Sequence, residues 1–310
     1  MIPYMHEEES DTAKDDLSAN TPPPGLLFPI VLFIVTVFTT LWAGAYQTRS
    51  SQSQGAWQFL VNDPSVLWKG VPFAGTLLAI LLTHEFGHYI YSRIHRVPAS
   101  LPIFIPGPAH FIGTFGAIIR LRGPILDRKA LFDIGVAGPI SGFVVAVVAL
   151  GVGLSLSEVV PRPLVLHPAD HLQLGEPVLY QLVAWLVIGP IPLGTELVLH
   201  PVAYAAWFGL FITFLNLIPI GQLDGGHVAY ALWGAHQRTI AMATIPVLLV
   251  LGLVGWYGWS LWALLGSFLG VTHPPVSDPQ AVLGRSRVRV GWFALAIFIL
   301  TFTPVPFSFN

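Results

Sequence analysis

The chain has no cysteine, which excludes disulfides, thiolate metal ligands and thiol nucleophiles together. Any metal would have to be held by histidine, aspartate or glutamate. Charge is almost as scarce: charged residues make up 10% of the chain against 54% hydrophobic, and mean hydropathy is +0.70. That is too apolar for an ordinary soluble domain and reads as a polytopic membrane protein. A formal net charge of -2 leaves no dominant basic face for a phosphate backbone, so nucleic acid is set aside as a partner. The sequence also lacks a signal-like N-terminus. Residues 1–25 carry Glu7, Glu8, Glu9, Asp11, Asp15 and Asp16 and end Pro-rich, which fits an acidic, disordered cytoplasmic tail ahead of a membrane domain over 26–310. The missing transit peptide favours a bacterial inner membrane.

What the chain does have is apolar length. A bilayer core takes about 20 residues per helix. Runs of that kind are Leu26 to Ala45, Val71 to Tyr91, Leu131 to Leu156, Val202 to Ile220 and Ile240 to Gly270, with a shorter one from Val290 to Thr303. The expected fold is therefore an all-α polytopic membrane protein of about six transmembrane helices. Gly255 and Gly258 leave open whether the fifth run is one span or a helix and a re-entrant piece. Val178 to Leu199, broken by Gly189-Pro190-Ile191-Pro192, reads as an interfacial helix and loop. With a cytoplasmic N-terminus, eleven of the fourteen Lys and Arg residues fall on the cytoplasmic side, which the positive-inside rule favours.

Between the second and third spans, Ser100 to Arg122 places two Ile- and Phe-rich arms around Pro106-Gly107-Pro108. This suits a membrane-dipping β-hairpin, which must be buried against protein or line a cavity because lipid cannot satisfy its edge. A surface loop is the plainer reading of the same stretch.

The second span ends in His84-Glu85-Phe86-Gly87-His88. On a helix His84 and His88 present their rings on one face, a turn apart, and can clamp one divalent ion. Glu85 then leans beside the metal, placed to take a proton from water. The plainer reading is polar packing within the bundle, but three such residues in one turn would each need a buried partner. A catalytic zinc usually has three protein ligands. Asp224 is the candidate third, lying where a helix interrupted by Pro219 and Gly221 resumes after Gly225-Gly226; it could equally cap that helix.

H-E-x-G-H followed by N-x-x-P-x-x-x-x-D-G at Asn216, Pro219, Asp224 and Gly225 resembles the site-2 protease family of intramembrane zinc metalloproteases. The arm GTFGA from Gly113 and the run GVAGPISG from Gly135 to Gly142 resemble its PDZ-lacking bacterial and plastid branch. The resemblance covers most of residues 71–233. It implies Zn2+ held by His84, His88 and Asp224, Glu85 as general base and acid, and Asn216 at the substrate carbonyl or its oxyanion. It also implies substrate binding along Gly113, Thr114, Phe115 and Gly116, single-span membrane proteins in the bilayer as substrates, and a role in regulated intramembrane proteolysis. Two other classes compete: a transporter or proton relay using the same His, Glu and Asp side chains, and a non-catalytic binding protein that keeps the metal. Substrate identity and oligomeric state are unknown from the sequence. Gly138 and Gly142 read as helix-packing positions, Asp133 as a helix-start charge, His227 as polar helix packing, and His273 is given no role.

Overall fold

The computed structural model describes residues 25–47, 60–161 and 172–309; the acidic tail expected at 1–25 lies outside them apart from its last residue. In chain order the main elements are α1 (Leu27–Gln47), a 3-10 turn (Pro64–Gly70), α2 (Val71–Ile94), β1 (Ile103–Pro106), β2 (Thr114–Ile118) and α3 (Arg128–Ser155). Then follow β3 (Glu158–Pro161), β4 (Leu172–Leu174), α4 (Val178–Val187), β5 (Thr195–Val198), α5 (Pro201–Asn216) and α6 (Asp224–Trp233). The chain ends with α7 (His236–Val254), α8 (Gly258–Leu269), α9 (Arg285–Thr301) and β6 (Phe307–Phe309).

Among the described residues, four helical stretches are long and apolar enough to cross a membrane: Leu27–Gln47, Pro64–Ile94, Arg128–Ser155 and His236–Val254. The remaining two expected spans form shorter helices, α5 with 16 residues and α9 with 17. The apolar run from Ile240 to Gly270 is two helices, since α7 closes at Gly255 and α8 opens at Gly258. Local chemistry sets the helix starts. Proline falls in the first turn of α2 and α5, where its missing N–H costs nothing, and the Asp127 carboxylate accepts from the Ala130 amide to cap α3.

The centre of the bundle is α5, packed on α3 and α2, which also pack closely on each other. Ala203, Ala205, Trp207, Phe208 and Leu210 on α5 are essentially fully buried, so this helix is enclosed by protein and does not need lipid-spanning length. Small residues set the close approaches: a Cβ on Gly153 of α3 would overlap the Ala203 backbone.

β1 and β2 pair antiparallel, with Ile103 opposite Ile118, Phe104 opposite Ala117 and Ile105 opposite Gly116, and a bulge before Pro106 pairs with Thr114. β1 lies on α1, and β2 reaches α2. The turn is pinned to α1 twice: Thr39 Oγ1 donates to the Gly113 carbonyl at 2.6 Å, and Gln47 Nε2 donates to the Phe111 carbonyl at 3.0 Å. Gly113 has φ 77°, a left-handed conformation that favours glycine. Below this turn, β6 pairs antiparallel with β4. Phe307 inserts its ring among Phe111, Trp207, Phe208, Phe211 and Trp256, with centroid separations of 5.3–5.8 Å.

Candidate metal centre

His84 and His88 sit on consecutive turns of α2 and are 4% and 6% exposed. Asp224 is the first residue of α6, after the break that ends α5; Leu223 holds the cap position. The carboxylate is turned inward. His84 Nε2 and Asp224 Oδ2 are 3.2 Å apart, His88 Nε2 and Asp224 Oδ2 3.3 Å, and the two Nε2 atoms 3.1 Å. Two imidazole nitrogens four residues apart in sequence and a carboxylate oxygen 140 residues on from His84 thus form a near-equilateral triangle, the one such group of three among the described residues.

The donor set fits a metal. His88 Nδ1–H donates to the Ile134 carbonyl at 2.7 Å, so in the neutral ring Nε2 carries a lone pair toward the triangle. A proton on His84 Nε2 can serve only one of its two neighbours, so lone pairs are left facing one another in a buried site. A small cation satisfies all three. The edges match the roughly 3.3 Å ligand–ligand spacing of a tetrahedral site with bonds of about 2.0 Å, the length found for zinc with imidazole and carboxylate.

Three glycines of α3 make the room. A Cβ on Gly138 would fall on the His88 ring at Nε2, and one on Gly142 would lie 3.1 Å from His84 Cβ. One on Gly135 would lie 2.8 Å from His227 Cβ. Read from sequence as helix-packing residues, Gly138 and Gly142 pack specifically against the imidazoles; the small-residue spacing was the signal, and only the partner was hidden.

Glu85, 5% exposed, lies near the Ile119 backbone, just past β2. The hairpin therefore comes close to the metal centre, with β2 against α2. Asn216, the last residue of α5, brings Nδ2 to 3.2 Å from His84 Nε2. Of the arm expected to bind substrate, Gly113 is buried against α1 and Thr114 is 1% exposed, its hydroxyl donating to the Ile105 carbonyl at 2.8 Å. Phe115 is 72% exposed, and a Cβ on Gly116 would meet nothing.

Two pairings outside the triangle have no local sequence signal. Asp133 does not act at the start of α3, which Asp127 caps. It accepts from Arg287 Nε at 2.8 Å and Nη2 at 2.7 Å and pairs with His95 Nε2 at 2.8 Å. His227 Nδ1 meets His273 Nε2 at 2.6 Å, and Tyr230 stacks on His273 with ring centroids 4.5 Å apart. Burial pushes the His273 pKa down.

The profile of Peptidase family M50 matches residues 72–254, more than half of the chain and the part that carries every residue of the triangle. The chain is 31% identical over 251 residues to a probable zinc metalloprotease EGY2, chloroplastic, of Arabidopsis thaliana, covering 80% of this chain and 44% of the relative. It is 31% identical over 279 residues to the protein of the same name from Oryza sativa subsp. indica, covering 89% and 49%. A probable zinc metalloprotease EGY1, chloroplastic, of Oryza sativa subsp. japonica is 31% identical over 227 residues, covering 66% and 37%. The chain thus spans less than half the length of these relatives. No solved structure matches it.

Proposed function

The chain belongs to peptidase family M50, and from that premise we propose that it is an intramembrane zinc endopeptidase that cleaves membrane proteins within or near their spanning segments. The observation that carries the reading is the convergence of His84, His88 and Asp224 on one point inside the apolar bundle. Zinc, when bound, supplies Lewis acidity toward water and toward a peptide carbonyl.

The chain's own residues supply the rest. His84, His88 and Asp224 hold the ion, with the Ile134 carbonyl fixing the His88 tautomer. Glu85 takes the proton of the attacking water and returns it to the leaving nitrogen. The Ile119 backbone lies beside that carboxylate. The Asn216 amide lies beside the ligands and donates to the oxyanion as it develops.

A substrate helix hides its peptide bonds in internal hydrogen bonds, so the cleaved segment must first unwind. An extended strand has a natural place beside β2, which packs on the helix that carries Glu85. Phe115 is the accessible residue of that arm; Gly113, Thr114 and Gly116, all buried, act by shaping it. In this reading the hairpin dips into the membrane between α1 and α2, and α5 and α9 complete six crossings despite their length. Substrates are single-span proteins, such as membrane-tethered regulators. The N-terminus is cytoplasmic, a reading supported by the Lys and Arg distribution, and the proposed membrane is a bacterial inner membrane. The name "chloroplastic" is carried by the plant relatives.

The test uses purified full-length protein, wild type and Glu85→Gln, with zinc content measured alongside cleavage of a panel of single-span proteins. Stoichiometric zinc in both and cleavage by the wild type alone is the expected result. A proton relay or transporter would carry no stoichiometric zinc, and a metal-keeping binding protein would show no cleavage in either form.

A further inference from the structure

On the flank of α2 and α3 away from Asp224, the bundle is left open. α9 packs chiefly on α3 and α5, and is tied to α2 at one end, where Asp133 of α3 pairs with Arg287 of α9 and with His95 just past α2. Below that knot lies a groove of about 690 Å³. Its walls are Phe86 and Ile90 of α2, Val136 and Ile140 of α3, and Val290 of α9. Its mouth is polar, formed by Asp133, Ser286 and Arg287, with Ser286 exposed.

Size decides among occupants. A second spanning helix, about 10 Å across and 30 Å long, needs roughly 2,000 Å³ or more, so a substrate helix does not fit. An acyl chain does, since the volume falls within the roughly 300–1,000 Å³ typical of small-ligand clefts, and the apolar walls match it.

Charge decides the headgroup. Two N–H groups of Arg287 are spent on Asp133, leaving the other three of the guanidinium available. Arg93, in the last turn of α2, is exposed. The Arg287–Asp133 contact is the one pairing of an Arg or Lys with a carboxylate among the described residues. Apolar walls ending in a guanidinium with N–H donors to spare, beside the Ser286 hydroxyl, complement an acyl chain ending in a negative phosphodiester.

We propose that this groove is a binding site for one anionic phospholipid, its acyl chain along Phe86, Ile140 and Val290 and its phosphate against Arg287 and Ser286. The lipid completes the α2–α9 seam that the protein leaves open. This does not rest on the protease reading, because no residue of the metal triangle takes part.

The test is native mass spectrometry of the full chain released from nanodiscs of phosphatidylglycerol and phosphatidylcholine in equal amounts. Wild type should retain one phosphatidylglycerol per chain in preference to phosphatidylcholine. Ile140→Trp, which fills the groove, should lose it. Val148→Trp, at a position of α3 that is 63% exposed, should keep it. Ser286→Glu sets a negative charge at the exposed mouth without touching the knot, and should lower phosphatidylglycerol retention about five-fold while leaving phosphatidylcholine unchanged. Zinc content and thermal unfolding of each variant report folding, and Ser286→Glu carries the test if Ile140→Trp fails there. Retention of no lipid by wild type, equal retention of the two lipids, or equal retention by Ile140→Trp and Val148→Trp overturns the proposal. If Ile140→Trp keeps the lipid but alone fails to bind a single-span helical peptide, the groove belongs to substrate and the proposal is likewise overturned.

Discussion

Two clusters in this molecule are built from the same parts, a carboxylate and histidine nitrogens, and behave as opposites. At Asp133 a guanidinium donates twice to the carboxylate and the His95 ring adds a third contact. Every lone pair in use has a donor, and the knot sits at a helix end with side-chain exposures of 14–31%. At Asp224 no Lys or Arg is present, and both imidazole Nε2 atoms face the carboxylate at 3.2–3.3 Å, 3.1 Å from each other, in a buried site. That cluster has an excess of acceptors and too few protons. The lesson is that acid and histidine in proximity do not mark a metal site; a shortage of donors does.

The sharpest way to break the contrast is to remove a ligand or its room. His84→Ala, or Gly138→Ala, whose Cβ would displace the His88 ring, should abolish stoichiometric zinc and lower cleavage by at least about 1,000-fold. Elemental analysis beside a cleavage assay checks both. Next, Glu85→Gln should cut turnover by about 100- to 10,000-fold with zinc unchanged, since Glu85 is not part of the triangle; loss of zinc would make it a ligand. Asn216→Ala should cost about 100-fold in kcat with a smaller change in KM, and an equal loss in KM alone would assign Asn216 to substrate grip. The smallest effect belongs to the other cluster. Asp133→Asn should cost about 1–3 kcal/mol of stability, seen as an earlier unfolding midpoint, with full zinc and cleavage within about three-fold. Zinc loss in Asp133→Asn would erase the distinction drawn here.

Much of the metal centre could be read from the chain because its two halves are local patterns. His84 and His88 need only helical spacing to share a face, and Asp224 stands out as an acid where an apolar run breaks. The strand arms at 103–106 and 114–118 were legible from their Ile and Phe content around a Pro-Gly-Pro turn. Less legible were the partners. Nothing near Asp133 points to Arg287, 154 residues on, and His227 meets His273, 46 residues on. Span length also misled: α5 carries the composition of a crossing helix but is walled in by protein, so lipid thickness does not fix its extent. The role of Gly138 was half visible, because spacing shows that a neighbour comes close and not which neighbour it is.

The placement of Phe307 has a bearing on how the molecule is born. Its ring fills the nest beneath the hairpin turn, between Phe111 and the α5 aromatics, yet it is made about 200 residues after that turn. The nest therefore cannot close while the ribosome is still extending the chain. Until residue 307 emerges, the strand proposed to receive substrate lacks its floor, so a nascent chain has no finished track on which to cut its neighbours.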